Sequence, residues 1–310
     1  MEQRLHVMAR AQDGVFSAGD AMALGITGND LTALVRQGTA MRLRRSAYVL
    51  TDVWEAADIG RRYRLRVKAV LRTRPGTDRA SHHSALSMFG LGIYGAPLTL
   101  VAVESAVAKP RVRPSLIVQP PTPADGYRFG NLRSVNPALA CVQVAARYGF
   151  EAGVCAMDSA LHHAKCSTAE LHEALLHVPE RQRRRARLAI DAAEPLTESV
   201  GESRTRIILR DAGLSFVPQF TVRDGDTHLG RVDFLVEECV VVEFDGQVKY
   251  AGAAGTRALM AEKERESRIS RLGYEVERII WSELDDPIGI LRRITEAAHV
   301  GRARRQARLR

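Results

Sequence analysis

Three carboxylates, Asp233, Glu243 and Asp245, punctuate the segment Arg231–Lys249, where two apolar runs are joined by a short turn. Val240, Val241 and Val242 form an unbroken apolar stretch, which predicts a strand buried on both faces. Acids at the rim of such a strand are costly unless a cation faces them, and carboxylate oxygens suit a hard divalent ion. Antiparallel strands joined by a tight turn bring their ends together, so Asp233 and Glu243 are expected to share Mg²⁺ (or Mn²⁺). The chemistry this suggests is phosphodiester hydrolysis, in which one ion neutralises the phosphate and activates a water. Glu202, on the preceding helix, either reaches that ion through a water or completes a capping box with Ser199; the two roles are compatible. Lys249 is the candidate for orienting or deprotonating the water. Plainer readings stand beside these: Asp245-Gly246 as a turn, Asp233 paired with Arg231, and Glu202 as a cap alone.

The elements that would hold these residues run helix 198–211, strands 216–222, 228–236 and 239–244, helix 257–272 and strand 275–281, an α-β-β-β-α-β order. The charged helix carrying Lys263, Glu264, Arg265 and Arg268 either brings a cation to the phosphate or is a solvated face with pairs such as Glu264–Arg268. Ser282 with Asp285 is expected to cap a last helix. Residues 301–310 read as a frayed basic tail.

A second group of residues lies near the N-terminus. Arg4–Gln12 reads as a helix. Ser17 with Asp20 and Thr27 with Asp30 are N-cap signals for two short helices, closed by Gly25 and Gly38. Residues 41–50, rich in β-formers and arginine, read as a hairpin. Residues 1–52 thus fit a winged helix-turn-helix. Asn29, Thr32, Ala33, Arg36 and Gln37 would form the face that reads double-stranded DNA, while Arg42, Arg44 and Arg45 would touch phosphates. The alternative is a small helical module that contacts protein. Residues 53–195 show mixed α/β signals: helices at 61–74, 137–148 and 152–164, a helix starting at Ser81, and strands at 98–103 and 115–119. The run Arg181–Arg187 is either a solvated helix face or a phosphate-tracking patch. The adjacent pairs His82-His83 and His162-His163 point about 100° apart on a helix, which disfavours either pair as a zinc clamp.

Over 310 residues, 45 Lys and Arg stand against 36 Asp and Glu, a formal net charge of +9. An excess of that size points to a polyanion, most often nucleic acid, unless arginine is simply used freely. A hydrophobic content of 45% excludes global disorder. The four cysteines have no C-x-x-C spacing and read as reduced cytosolic thiols rather than a disulfide framework. With no apolar leader after Met1 and no membrane-length apolar run, a cytoplasmic protein with no membrane association is expected.

Two resemblances organise these observations. Gly201-Glu-Ser-Arg-Thr-Arg206, Gly230-Arg-Val-Asp-Phe234, Val242-Glu-Phe-Asp-Gly246 and Gly273-Tyr-Glu-Val-Glu-Arg278 resemble the very-short-patch-repair endonuclease-like branch of the PD-(D/E)XK nucleases. That likeness implies a restriction-endonuclease-like core over 196–300, with Glu202, Asp233, Glu243, Asp245 and Lys249 as its catalytic set. The chain departs from the superfamily at Asp245, where a lysine is usual, and at Gln247–Lys249, where a histidine is more common. The missing lysine favours the alternative of a non-enzymatic regulator on a nuclease scaffold, the three retained acids oppose it, and the second departure leaves the general base unassigned. Gly14-Val-Phe-Ser17, Ala23-Leu-Gly25, Leu34-Val-Arg36 and Arg42–Val49 resemble the winged helix of AbiEi-type type IV antitoxins. Ser81-His-His-Ser-Ala-Leu and Asp158-Ser-Ala-Leu161 resemble the segment that follows it. That likeness implies promoter binding, repression of the protein's own operon and a nucleotidyltransferase-like toxin as partner. The expected fold class is therefore a multidomain α+β and α/β chain in a defence or toxin–antitoxin context. Its leading activity is metal-dependent endonuclease action on DNA, and RNA remains a weaker option as substrate.

Overall fold

The N-terminal caps form as their spacing dictates. In a computed structural model, which describes residues 2–246 and 252–308, helix α1 (Glu2–Arg10) leads into strand β1 (Val15–Ser17). Helix α2 (Ala18–Met22) starts at a reciprocal Ser17–Asp20 capping box, and α3 (Gly28–Arg36) starts at a second box formed by Thr27 and Asp30. Strands β2 (Ala40–Arg44) and β3 (Ala47–Leu50) make the expected hairpin, turning at Arg45-Ser46. β1 escaped the sequence reading because three residues carry no periodic signal, yet it pairs antiparallel with β3 and gives a sheet of order β1-β3-β2. Gly14 enters β1 with φ +83°, and a Cβ there would stand 2.8 Å from Val53, so glycine is required twice over.

Contacts divide the chain into two compact units, 1–193 and 194–310, with no break near residue 52. The reason lies in the core. After α4 (Thr51–Glu55), α5 (Ile59–Arg72) sends Leu65 and Ala69 into the cluster formed by Leu5, Phe16, Leu31, Leu34, Val49 and Leu50. The remainder of the first unit is a six-stranded mixed sheet with helices. Its strands are β4 (Arg79–Ala80), β5 (Val101–Glu104), β6 (Arg111–Arg113), β7 (Leu116–Gln119), β8 (Gly126–Phe129) and β9 (Leu132–Val135), ordered β6-β7-β5-β4-β9-β8. Helix α6 (His82–Phe89) follows β4, and α7 (Pro137–Tyr148), α8 (Phe150–His162), α9 (Thr168–Leu175) and α10 (Glu180–Asp191) complete the unit.

The second unit runs α11 (Val200–Asp211), β10 (Phe216–Asp224), β11 (Thr227–Val236), β12 (Val240–Asp245), α12 (Gly252–Arg271), β13 (Glu275–Ile280) and α13 (Pro287–Arg308). The sheet order is β10-β11-β12-β13, antiparallel except for the parallel β12–β13 pair. The apolar run on β12 is buried on both faces. Val240 and Val242 pack with Leu209 of α11 and with Ile290 and Ile294 of α13, while Val241 packs with Ile269 of α12. Two expectations are corrected here. The last helix is capped by Asp286, whose Oδ1 accepts the Gly289 N–H at 3.0 Å, rather than by Ser282 with Asp285; Pro287 fixes the start one residue later. Over the described residues the basic tail is helical rather than frayed: α13 continues to Arg308, with Arg302 paired to Glu237 and Arg304 to Glu275, both at 2.5 Å, and Arg305 over the Tyr274 ring. Among the described residues no helix is long and apolar enough to cross a membrane.

Candidate functional site

The α3 surface separates cleanly into a buried and a solvent side. Leu31 and Leu34 face the core, while Asn29, Thr32, Arg36 and Gln37 are exposed and Ala33 is half-buried. The Thr32 hydroxyl donates to Gly28 O at 2.9 Å. On the hairpin, Arg42 and Arg45 are exposed. Arg44 is half-buried, and its charge is opposed by desolvation and by the nearby Arg74 guanidinium, so it is the least available of the three. Among the described residues Arg36, Arg42 and Arg45 form no ion pair, whereas neighbouring Arg10 and Lys68 are tied to Asp52 and Asp13. The α3 face and the hairpin thus offer uncommitted positive charge and hydrogen-bonding side chains.

In the second unit the sheet gathers carboxylates, but they are partly committed. The register that pairs Phe234 with Val242 stops there, and the Asp233 carboxylate takes over from the ladder: its Oδ2 accepts the Phe244 N–H at 2.7 Å. Opposite it, Gln219 has φ +50° and drops out of the β10–β11 pairing. Glu202 is buried; its N–H is capped by Ser199 Oγ at 3.2 Å, and its Oε2 accepts from Glu198 N and Gln219 Nε2, each at 3.0 Å. The capping box is therefore half formed, with the glutamate reaching Glu198 rather than Ser199. Gly201 sits where a Cβ would fall 2.0–2.4 Å from ring atoms of Phe244, so the motif glycine lets α11 lie on β12.

Desolvation, with the carboxylates of Glu202, Glu243 and Glu198 adding to it, pushes the Asp233 pKa up to about 7 despite the Phe244 hydrogen bond. Glu243 has a different environment. Arg265 Nη2 lies 2.7 Å from its Oε1, and Arg278 Nε lies 3.8 Å from its Oε2. Arg265 and Arg278 also converge on Glu262, at 2.9 and 2.6 Å, forming a network across α12, β12 and β13. The common cation pocket expected at Asp233 and Glu243 is thus divided: arginines pair with Glu243, while the Asp233 carboxylate turns to the Phe244 N–H on the neighbouring strand β12. Arg231 pairs with Glu198 at 2.5 Å, not with Asp233. Asp245 is half-buried near Glu262. Lys249 lies outside the described residues.

Among the described residues no group of three or more His, Cys, Asp or Glu is arranged to hold a metal ion. With Arg265 and Arg278 on Glu243 and the Phe244 N–H on Asp233, the two carboxylates as they stand do not form a shared metal-binding group. Sequence reasoning missed Glu198 and Gln219, which are local in neither strand nor helix pattern. It left Arg265 either near the phosphate or on a solvated face, whereas the structure places it on the carboxylates of Glu243 and Glu262.

Residues 8–51 match the protein family described as "Transcriptional regulator, AbiEi antitoxin", and this is the stretch that carries α3 and the hairpin. No curated protein matches the chain.

Proposed function

We propose that this protein is a DNA-binding transcriptional regulator of antitoxin type, whose first fifty or so residues form a winged helix. The observation that carries the reading is the exposed α3 face of Asn29, Thr32, Arg36 and Gln37 beside the unpaired Arg42 and Arg45, all within the stretch matched to the antitoxin family. Helix α3 would lie in the major groove, where asparagine, glutamine and arginine read base edges. The hairpin arginines would neutralise backbone phosphates, setting affinity and register. In this reading the natural target is the promoter of the protein's own operon, and a nucleotidyltransferase-like toxin is the partner. The test is equilibrium binding of duplex DNA from upstream of the gene, across a salt series. Arg42→Ala with Arg45→Ala is expected to flatten the slope of log K against log salt by about 2, near 0.9 for each lost phosphate contact. An unchanged slope and affinity would mean that the hairpin faces protein.

A second reading is metal-dependent phosphodiester hydrolysis in the second unit. It is favoured by one observation, the burial of Asp233 beside Glu202, Glu243 and Glu198, which together push its pKa up to about 7. Mg²⁺ or Mn²⁺ would supply charge neutralisation and water activation there; Asp233 would bind it, with Glu202 behind. Glu243 joins that set only if Arg265 leaves it. Nicking of supercoiled plasmid that needs Mg²⁺ or Mn²⁺ and disappears in Asp233→Ala would establish the enzyme. Metal-independent behaviour, equal in both proteins, leaves the regulator alone.

A further inference from the structure

The first unit holds a cleft of about 1250 Å³ that neither reading uses. It exceeds the roughly 300–1,000 Å³ of a usual small-molecule pocket, so it has room for a ligand with more than one chemical part. One side of its rim is cationic. Arg181, Arg184 and Arg185 of α10 are spaced to share a helix face, and Arg147 at the end of α7 joins them. All four are exposed, and among the described residues none is paired with a carboxylate. The one acid in the lining, Glu104, is already neutralised: Arg79 pairs with it at 2.7 Å, and Thr122 Oγ1 and Gln143 Nε2 donate to it. The cleft as a whole is therefore positive.

The floor has another character. His82 is buried there and holds φ +50°, a left-handed conformation uncommon outside glycine but more accessible to histidine than to most side chains. Its N–H donates to Gln143 Oε1 at 2.9 Å, and its Nδ1 lies 3.1 Å from Ser81 Oγ. Burial, with His83 and Arg147 adding to it, pushes the His82 pKa down to about 3, so the ring stays neutral at ordinary pH. Pro120, Pro121 and Phe150 supply an apolar wall. A cationic rim, a neutral floor that can exchange donor for acceptor, and an apolar wall match the three parts of a nucleotide.

We infer that this cleft binds a nucleoside phosphate, with the phosphates on Arg181, Arg184, Arg185 and Arg147 and the base over the His82–Gln143 floor. The ligand is either a free nucleotide or the end of a single strand; the chemistry is shared. It gives the first unit a ligand site apart from the α3 face, and it stands whether or not the DNA-binding reading does.

The test is calorimetric titration of the full chain with the four ribonucleoside triphosphates, their monophosphates, pyrophosphate, a short single-stranded RNA and a duplex DNA. At least one nucleotide is expected to bind in the micromolar range and pyrophosphate about tenfold more weakly. Arg184→Ala with Arg185→Ala, both on the surface, is expected to weaken nucleotide binding about 10- to 100-fold. His82→Asn keeps a residue that tolerates positive φ and is expected to alter the preference among bases while leaving pyrophosphate binding unchanged. Tighter binding of the RNA than of any free nucleotide supports the site and assigns it to a strand end. The inference is overturned if no nucleotide or RNA binds below about 1 mM. It is equally overturned if pyrophosphate binds as tightly as every nucleotide, or if duplex DNA alone depends on Arg184 and Arg185.

Discussion

Replacing Asp233 by asparagine is expected to stabilise the second unit, and to do so more as pH rises. The folded-state pKa of Asp233 is raised, from the usual 3.8 to about 7. Between those values the folded chain holds a proton that the unfolded chain has lost, so wild-type stability falls as pH rises through the window. Asparagine never ionises, and its side-chain oxygen can still accept the Phe244 N–H that Asp233 now accepts at 2.7 Å. At about 1.4 kcal/mol per pH unit, the whole window bounds the advantage of Asp233→Asn at about 4 kcal/mol, with more than half of it developing between pH 5 and pH 8. Partial solvent access at this half-buried site brings the realistic figure nearer 2 kcal/mol.

The assay is urea denaturation of both proteins at pH 5 and pH 8 in the presence of a chelator, followed by a signal from Trp281 in the second unit. With a slope of about 2 kcal/mol per molar urea, the gap between the two midpoints should widen by about 1 M on going from pH 5 to pH 8. Parallel pH profiles, or a variant less stable than wild type at pH 8, would refute the account of Asp233 as a crowded, desolvated acid. A second arm replaces the chelator with Mg²⁺ at pH 8. A rise in the wild-type midpoint that Asp233→Asn lacks would show a cation held at that carboxylate, by mass action.

Gly201→Ala places a methyl 2.0–2.4 Å from ring atoms of Phe244. It should cost about 3 kcal/mol as overpacking, and Phe244→Leu in the same chain should recover part of that in a double-mutant cycle. Deleting residues 302–310 removes the pairs of Arg302 with Glu237 and Arg304 with Glu275 and the Arg305–Tyr274 stack. These contacts are largely exposed, so a loss of about 1 to 2 kcal/mol is expected, measured by the same urea titration; no change would mean that the end of α13 contributes nothing to the unit.

The signals that were legible were mostly local ones. Ser17 and Thr27 each lie three residues before an aspartate, and both reciprocal caps form. The long apolar runs of β11 and β12 and the glycine stops were visible for the same reason. β1, β4, β6, β8 and β9 were not, because strands of two to four residues are held by their neighbours, and β6 and β8 are largely exposed sheet edges with no apolar alternation. The acid site was legible as composition and not as pairing. Asp233, Glu243 and Glu202 stand out in the chain, but the partner that decides the charge of Glu243 lies on α12. The departure of Gln219 from the β10–β11 ladder depends on tertiary packing alone.

The net charge of +9 conceals an asymmetry that bears on both functional readings. Residues 1–193 carry 26 Lys and Arg against 16 Asp and Glu, and residues 194–310 carry 19 against 20. The whole excess of positive charge therefore lies in the unit with α3, the hairpin and α10. In the second unit many arginines are internally committed: Arg231 to Glu198, Arg265 to Glu243, Arg278 to Glu262 and Arg293 to Glu283. Affinity for a polyanion comes from phosphates neutralised and counterions released, and a unit of that composition has little free charge to offer. DNA binding by the intact chain should accordingly take its salt dependence from the first unit. Arg223→Ala, at an exposed position of β10, should leave the slope of log K against log salt unchanged, whereas Arg36→Ala on α3 should lower it by about 0.9. A slope that responds to Arg223 as strongly as to Arg36 would place the nucleic acid on the second unit and would return the acids around Asp233 to the centre of the chemistry.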